Sequence, residues 1–444
     1  MSDAVPIWRT MMVFLIPLML ANILQAAQGT FLSIYLGRMI GVGALAAASS
    51  VFPMLFFLIS FFIGIASGST VLIGQAYGAR DEERVARTAG TTLGFAVLVG
   101  IAVGAIGLVF DREILAAVAT PPDVFDGAVT YARIMFLTMP ILFIYLSYTT
   151  FLRGVGDSNT PFVVLLASTA ASATLTPALI LWTPLGIASA PIANATGMLL
   201  ASLGLGVWLE VRHNPLAPRA VLKYWAIDGA ILLKLVRIGI PTGVQLVMVS
   251  LSEIAVLAFV NRFGSQATAA YGAVNQIVSY VQFPAVSIGI TASIFGAQSI
   301  GAQRFDRLRS IARAAVALNY VIEGALIVLG YLFARQLLGL FVTSQPVIDI
   351  AYSLLAITLW SYVIFGNNSV LSGLMRSSGS VLWPTAIGIA AIWGVEVPTA
   401  WILSHGPLGL RGIWVAYPVA YACSLAAMTT YYYAVWRRRR LAAL

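Results

Sequence analysis

The sequence predicts an all-α polytopic membrane protein of twelve transmembrane helices, built as two parallel-repeat bundles of six. Three observations predict it. The chain of 444 residues is 60% hydrophobic and 9% charged, with a mean hydropathy of +0.93, whereas a soluble domain carries about 25% charged residues. Apolar runs of roughly twenty residues recur along its length, and lipid forces such runs to be helices because it offers the backbone no hydrogen bonds. The chain also repeats itself at a constant shift of 223 residues.

The repeat sets the architecture. Residues 64–87, GIASGSTVLIGQAYGARDEERVAR, return as residues 287–310, SIGITASIFGAQSIGAQRFDRLRS. The same shift carries Gln75 onto Gln298, Arg153 onto Arg376, Gly156 onto Gly379, Pro161 onto Pro384 and Gly186 onto Gly409. It also carries Ala44, Ala46 and Ala47 onto Ala267, Ala269 and Ala270. Six spans per copy is an even number, so both copies enter the membrane in the same direction.

The expected spans, in order, are 11–36, 45–74, 90–110, 129–150, 161–182, 185–209, 231–260, 269–297, 311–334, 346–372, 381–403 and 410–436. The first is interrupted by Asn22, Gln25 and Gln28 and lacks a cleavage site, so it reads as a retained helix rather than a signal peptide. Gly64 with Gly68, and Gly100 with Gly104, are small-xxx-small pairs that permit close helix packing. RGVGDSNTP (153–161) and RSSGSVLWP (376–384) each end one helix at Arg and Gly and open the next near Pro, a structural punctuation. Residues 211–230, VRHNPLAPRAVLKYWAIDGA, form the longest polar stretch and read as a cytoplasmic linker. The expected domains are therefore a first lobe at 1–210, the linker at 211–230 and a second lobe at 231–444.

The net charge of +9 is about topology, not nucleic acid. Nineteen of the 25 Lys and Arg residues fall on the side that holds both termini and the even-numbered loops. Positive loops stay cytoplasmic, which places both termini there, with the closing YYYAVWRRRR (Arg437 to Arg440) as an interfacial anchor. The lone cysteine, Cys423, can form no intramolecular disulfide and is expected to pack as a small residue.

Several chemistries are excluded. Lys223 and Lys234 are the only lysines and neither completes a P-loop. His213 and His405 are the only histidines and lie in loops on opposite sides. No metal cluster, hydrolase triad or cofactor motif is expected.

Polar residues inside the spans are the candidate site. A carboxylate at mid-membrane costs about 2.5–3.5 kcal/mol or more, so it marks an ion path or a paired contact. Three acids qualify: Glu253, Glu323 and Glu396, all in the second half. Glu253 shares a helix face with Val249 and Gln245. Glu396 precedes Pro398, which frees a backbone carbonyl. Asn275, Gln276, Gln282, Asn367 and Asn368 add polar groups, and Asn22, Gln25 and Gln28 do so in the first half. Tyr280 and Phe365 are among the aromatics able to stack on an organic cation. Each has a structural alternative, an interhelical hydrogen bond or ordinary packing.

In this order and spacing, several segments resemble the multidrug and toxic compound extrusion (MATE) family across nearly the whole chain. They are IPLMLANILQAAQGTFLSIYLGRMIGVGALAA, IGQAYGARDEERVAR, FLRGVGDSNTP, GIP at 239–241, GAQSIGAQRFDRLRS and LMRSSGS. The resemblance implies a V-shaped pair of six-helix lobes that exports organic, often cationic or amphipathic compounds by antiport with H+ or Na+. The family's usual acids are missing: its helix-1 Asp position is Leu32, its helix-7 Glu position is Val249, and a helix-10 Asp position is Phe365. Before Pro177 stand Ser172 and Thr176 instead of Asn and Asp. The expectation is a secondary exporter in the cell membrane, with a small organic substrate and the lipid bilayer as partners, no nucleic acid, and a monomer that makes its own cleft. Glu253, Glu396 and Glu323 are the expected coupling residues. A lipid or lipid-linked oligosaccharide flippase of the same superfamily is the alternative; a non-transporting scaffold is a third reading.

Overall fold

The computed structural model describes residues 6–118, 120–439 and 441–444. Arg440, the last member of the basic anchor, lies outside the described residues. All regular structure among the described residues is helical. Eleven helices are long and apolar enough to cross a membrane, and a bent pair supplies a twelfth crossing. In chain order the spans are α1 (Ile7–Tyr35), α2 (Val42–Gly78), α3 (Glu82–Val109), α4 (Phe125–Leu137 with Met139–Gly154), α5 (Asn159–Trp182) and α6 (Ser189–Val211). They continue as α7 (Gly229–Asn261), α8 (Ser265–Gly301), α9 (Asp306–Leu332), α10 (Gln345–Thr358 with Tyr362–Arg376), α11 (Leu382–Ala391 with Val397–Ser404) and α12 (Leu410–Ala434). Large apolar residues stand on the outside, Trp182 at 83% and Leu340 at 77% exposure, which only lipid tolerates at this density.

The fourth span is a bent pair of helices. It bends by 51° between Leu137 and Met139. Pro140 has no amide hydrogen to extend the preceding helix, so the ladder restarts there. At the equivalent register of the second copy, α10 is interrupted by a 3-10 turn at Leu359–Ser361.

The repeat is visible in the backbone. Left-handed φ angles occur at Gly41 and Gly264, Arg80 and Gln303, Gly156 and Gly379, and Gly186 and Gly409, each pair 223 residues apart. A side chain in this region costs roughly 1–2 kcal/mol, so four shared positions reflect one inherited path. A salt bridge is inherited with it: Arg112 to Asp126 at 3.4 Å, and Arg335 to Asp349 at 2.9 Å.

The chain divides into two compact units, Ile16–Gly243 and the described part of Met1–Leu15 with Val244–Leu444. The division falls inside α1 and α7 rather than in the 211–230 segment, which carries a short helix at Pro218–Leu222. In the first unit a core surrounds Phe62 and Phe143, stacked at 4.1 Å. The start of α7 belongs to this unit through glycine contacts. A Cβ on Gly64 would lie 2.2 Å from the Gly239 carbonyl oxygen and 2.7 Å from the Gly243 nitrogen. Asp228 caps α7 by accepting from the Ala230 and Ile231 amides at 2.8 and 3.2 Å. Those bonds, aided by Arg87 at 2.6 Å, hold its carboxyl below the usual range. In the second unit the core gathers Tyr271, Leu354, Leu355, Ile413 and Trp414. Cys423 is exposed, not packed; α12 turns that face away from the core.

Candidate functional site

Two groups of polar residues stand out, one in each unit. In the first unit a cavity of about 140 Å³ opens between α1, α2, α5 and α6. Gln25, Gln28, Leu32, Ser172, Thr176 and Asn194 are among the residues that line it. Gln28 donates from Nε2 to Asn194 Oδ1 at 3.0 Å, tying α1 to α6. No acid lines this cavity, so it offers amides and hydroxyls to a ligand rather than charge. Of the expected α1 residues, Gln25 and Gln28 reach it, whereas Asn22 is not part of the lining. Asn194 went unnoticed in the sequence. It is a polar residue within the apolar run SAPIANATGMLL, and only its partner across the bundle marks it out.

The second unit holds the acids. Glu396 is 6% exposed and closes a π-helical turn, Ile392–Glu396, inserted into α11. Such widened turns recur at functional sites. Pro398 offers no amide hydrogen to the Gly394 carbonyl, which accounts for the loosened ladder. Alongside, α7 packs on α11. Trp393 donates its indole N–H to the Met248 carbonyl at 3.2 Å, and a Cβ on Gly388 would stand 2.8 Å from the Gln245 amide nitrogen. This pairing sets Glu253 near Glu396, where the two carboxyls act on each other electrostatically. Repulsion between neighbouring carboxylates is relieved by a positive charge between them.

An aromatic wall stands beside the acids. Tyr271, Tyr362, Tyr417 and Tyr421 all lie within electrostatic reach of Glu396. Tyr362 and Tyr421 meet edge to face at 5.7 Å, Phe365 lies 5.4 Å from Tyr421, and Tyr271 lies 5.7 Å from Trp414. Carboxyls beside aromatic faces suit a cation, inorganic or organic.

The remaining candidates are placed as follows. Gln276 and Tyr280 are exposed and Gln282 is half-buried on α8. Asn367 and Asn368 are buried at 7% and 9%. Asn368 donates to the Tyr421 carbonyl at 3.1 Å, and Asn367 donates to the Tyr320 hydroxyl at 3.1 Å. Glu323 is fully buried on α9, away from solvent. Among the described residues no three His, Cys, Asp or Glu side chains gather as a metal site.

Known proteins resemble this arrangement throughout. The MatE family pattern matches residues 17–177 and 241–402. The chain is 50% identical over 444 residues to the "Probable multidrug resistance protein YoeA" of Bacillus subtilis (strain 168), covering 99% of this chain and 96% of that one. It is 22% identical to the "Multidrug export protein MepA" of Staphylococcus aureus (strain MRSA252), covering 96% and 94%. A crystal structure of MATE in complex with MaL6 superposes with a TM-score of 0.90 at 20% identity, covering 97% of this chain and 96% of that chain. An outward-facing multidrug resistance MATE transporter of the MOP superfamily superposes at 0.88, covering 98% of each.

Proposed function

Because the chain belongs to the MatE family, we propose that it exports small organic compounds, cationic or amphipathic, by antiport against H+ or Na+. It is a multi-pass membrane transporter, not an enzyme. The names of its relatives, multidrug resistance and multidrug export proteins, support an organic cargo. The observation that carries the reading is the Glu253–Glu396 pair beside the tyrosine wall. The pair binds the coupling cation, the neighbouring aromatic faces favour a cationic cargo, and mutual exclusion at shared negative charge couples the two.

Lobes formed by residues 1–210 and 231–444, joined by the 211–230 segment, alternate access about this chemistry. Both termini lie in the cytoplasm, by the distribution of basic residues. The duplicated chain suffices as a monomer. No Arg or Lys lines the first-unit cavity, and none acts on Glu253 or Glu396, which disfavours a flippase for pyrophosphate-linked lipids.

The test is efflux of a fluorescent organic cation from proteoliposomes under a pH gradient or a sodium gradient, imposed separately. Flux should follow one gradient and be lost in Glu253→Gln and Glu396→Gln proteins that remain monodisperse. Full coupled flux in both variants would remove the pair from the mechanism.

A further inference from the structure

Glu323 stands apart from the Glu253–Glu396 pair in its surroundings. It is 0% exposed, and neither carboxyl oxygen has a hydrogen-bond partner. The Ala285 backbone on α8 interacts with it without completing a bond of normal geometry. One turn earlier on the same face of α9 is Asn319, also 0% exposed. Its Nδ2 donates to the Val363 carbonyl at 3.0 Å and to Asn367 Oδ1 at 3.3 Å, while its own Oδ1 has no partner. No charged side chain of α8, α9 or α10 acts on Glu323. Asn319 in turn leads through Asn367 to the Tyr320 hydroxyl, to which the Asn367 amide donates. Three buried oxygens are thus left without a donor, and an ionised carboxylate in that setting is unsupportable without a cation.

The repeat shows that packing alone does not require this cluster. At the shift of 223, Glu323, Asn319, Ala285 and Gly366 correspond to Gly100, Ala96, Phe62 and Phe143. In the first unit the two rings stack at 4.1 Å, and Gly100 packs on the Pro140 backbone. In the second unit both rings are gone. Asn319 Oδ1 lies 1.8 Å from where a Cβ on Gly366 would be, so the amide takes up space that a side chain there would need. An apolar filling exists in the same fold, and the second copy has oxygens in its place.

We propose that Glu323, with Asn319 supplying a further oxygen, forms a buried monovalent-cation site in the second unit, holding a proton or a sodium ion. This deepens the reading of the chain as an ion-coupled exporter by adding a site distinct from Glu253 and Glu396.

The full-length protein in lipid is to be examined by infrared difference spectroscopy of carboxyl bands. One arm titrates pH without sodium; the other adds sodium at fixed pH. The Glu323→Gln variant should lose one responsive carboxyl band that Glu253→Gln and Glu396→Gln retain. The Asn319→Ala variant, which keeps the acid, should shift that band. A response to pH alone assigns a proton, and a response to added sodium assigns sodium. A Glu323 band silent in both arms, or no band lost in Glu323→Gln, overturns the site. The readout needs no transport, so failure of export would not be mistaken for failure of this site.

Discussion

The indole nitrogen of Trp393 donates to the carbonyl of Met248 at 3.2 Å, and this one bond fastens the π turn of α11 to α7 beside the two acids. Trp393 opens the last turn before Glu396, and Met248 precedes Glu253 by little more than one turn. Trp393→Phe keeps the ring and removes the donor. It should cost about 0.5–1.5 kcal/mol of stability and reduce gradient-driven efflux more than substrate binding. Thermal unfolding alongside proteoliposome flux measures both; unchanged flux would show that the turn holds its position without this bond.

Gln28 and Asn194 offer a second test, in the acid-free cavity of the first unit. Gln28→Ala breaks the 3.0 Å bond, worth about 1 kcal/mol. Thermal unfolding should show that loss of stability, with the ion dependence of flux unchanged. An altered ion dependence would place coupling in this cavity.

Gly64 is required by contact. Any side chain there meets the α7 backbone at 2.2 Å, so Gly64→Val should cost about 3 kcal/mol or more. Gly204 on α6 has nothing within 4 Å of a Cβ, and Gly204→Ala should be neutral or stabilising by up to about 1 kcal/mol. Melting of the purified variants decides, and equal losses in the two would refute the contact argument.

Asp228 gives a pH prediction outside the membrane spans. Its folded-state pKa is depressed, first by the Ile231 and Ala230 amides and then by Arg87. The unfolded state therefore binds the proton more readily, and stability from this cap is complete above the ordinary carboxyl range near about 3.9. It is lost as pH falls through the depressed value. Asp228→Asn should melt lower than the parent at neutral pH, and the gap should close in acid. A gap independent of pH would mean that the charge plays no part.

The membrane class, the run of apolar spans and the repeat are legible in the residues alone. Each follows from local chemistry: apolar runs must be helices in lipid, and a constant register between Gly156 and Gly379 or Gly186 and Gly409 preserves the same left-handed turns. Intramembrane acids were equally legible, since Glu253, Glu323 and Glu396 stand out against their apolar neighbours. Their surroundings were not. That Asn319 reaches Asn367, that Asn194 holds Gln28, and that Trp393 beside Glu396 reaches Met248 depend on which faces of separate helices meet. Period alone cannot set this, because a span surrounded by lipid is apolar on every side and carries little amphipathic signal. Tertiary packing decided it through glycine contacts such as Gly64 on Gly239, which fix how α2 and α7 approach within their unit.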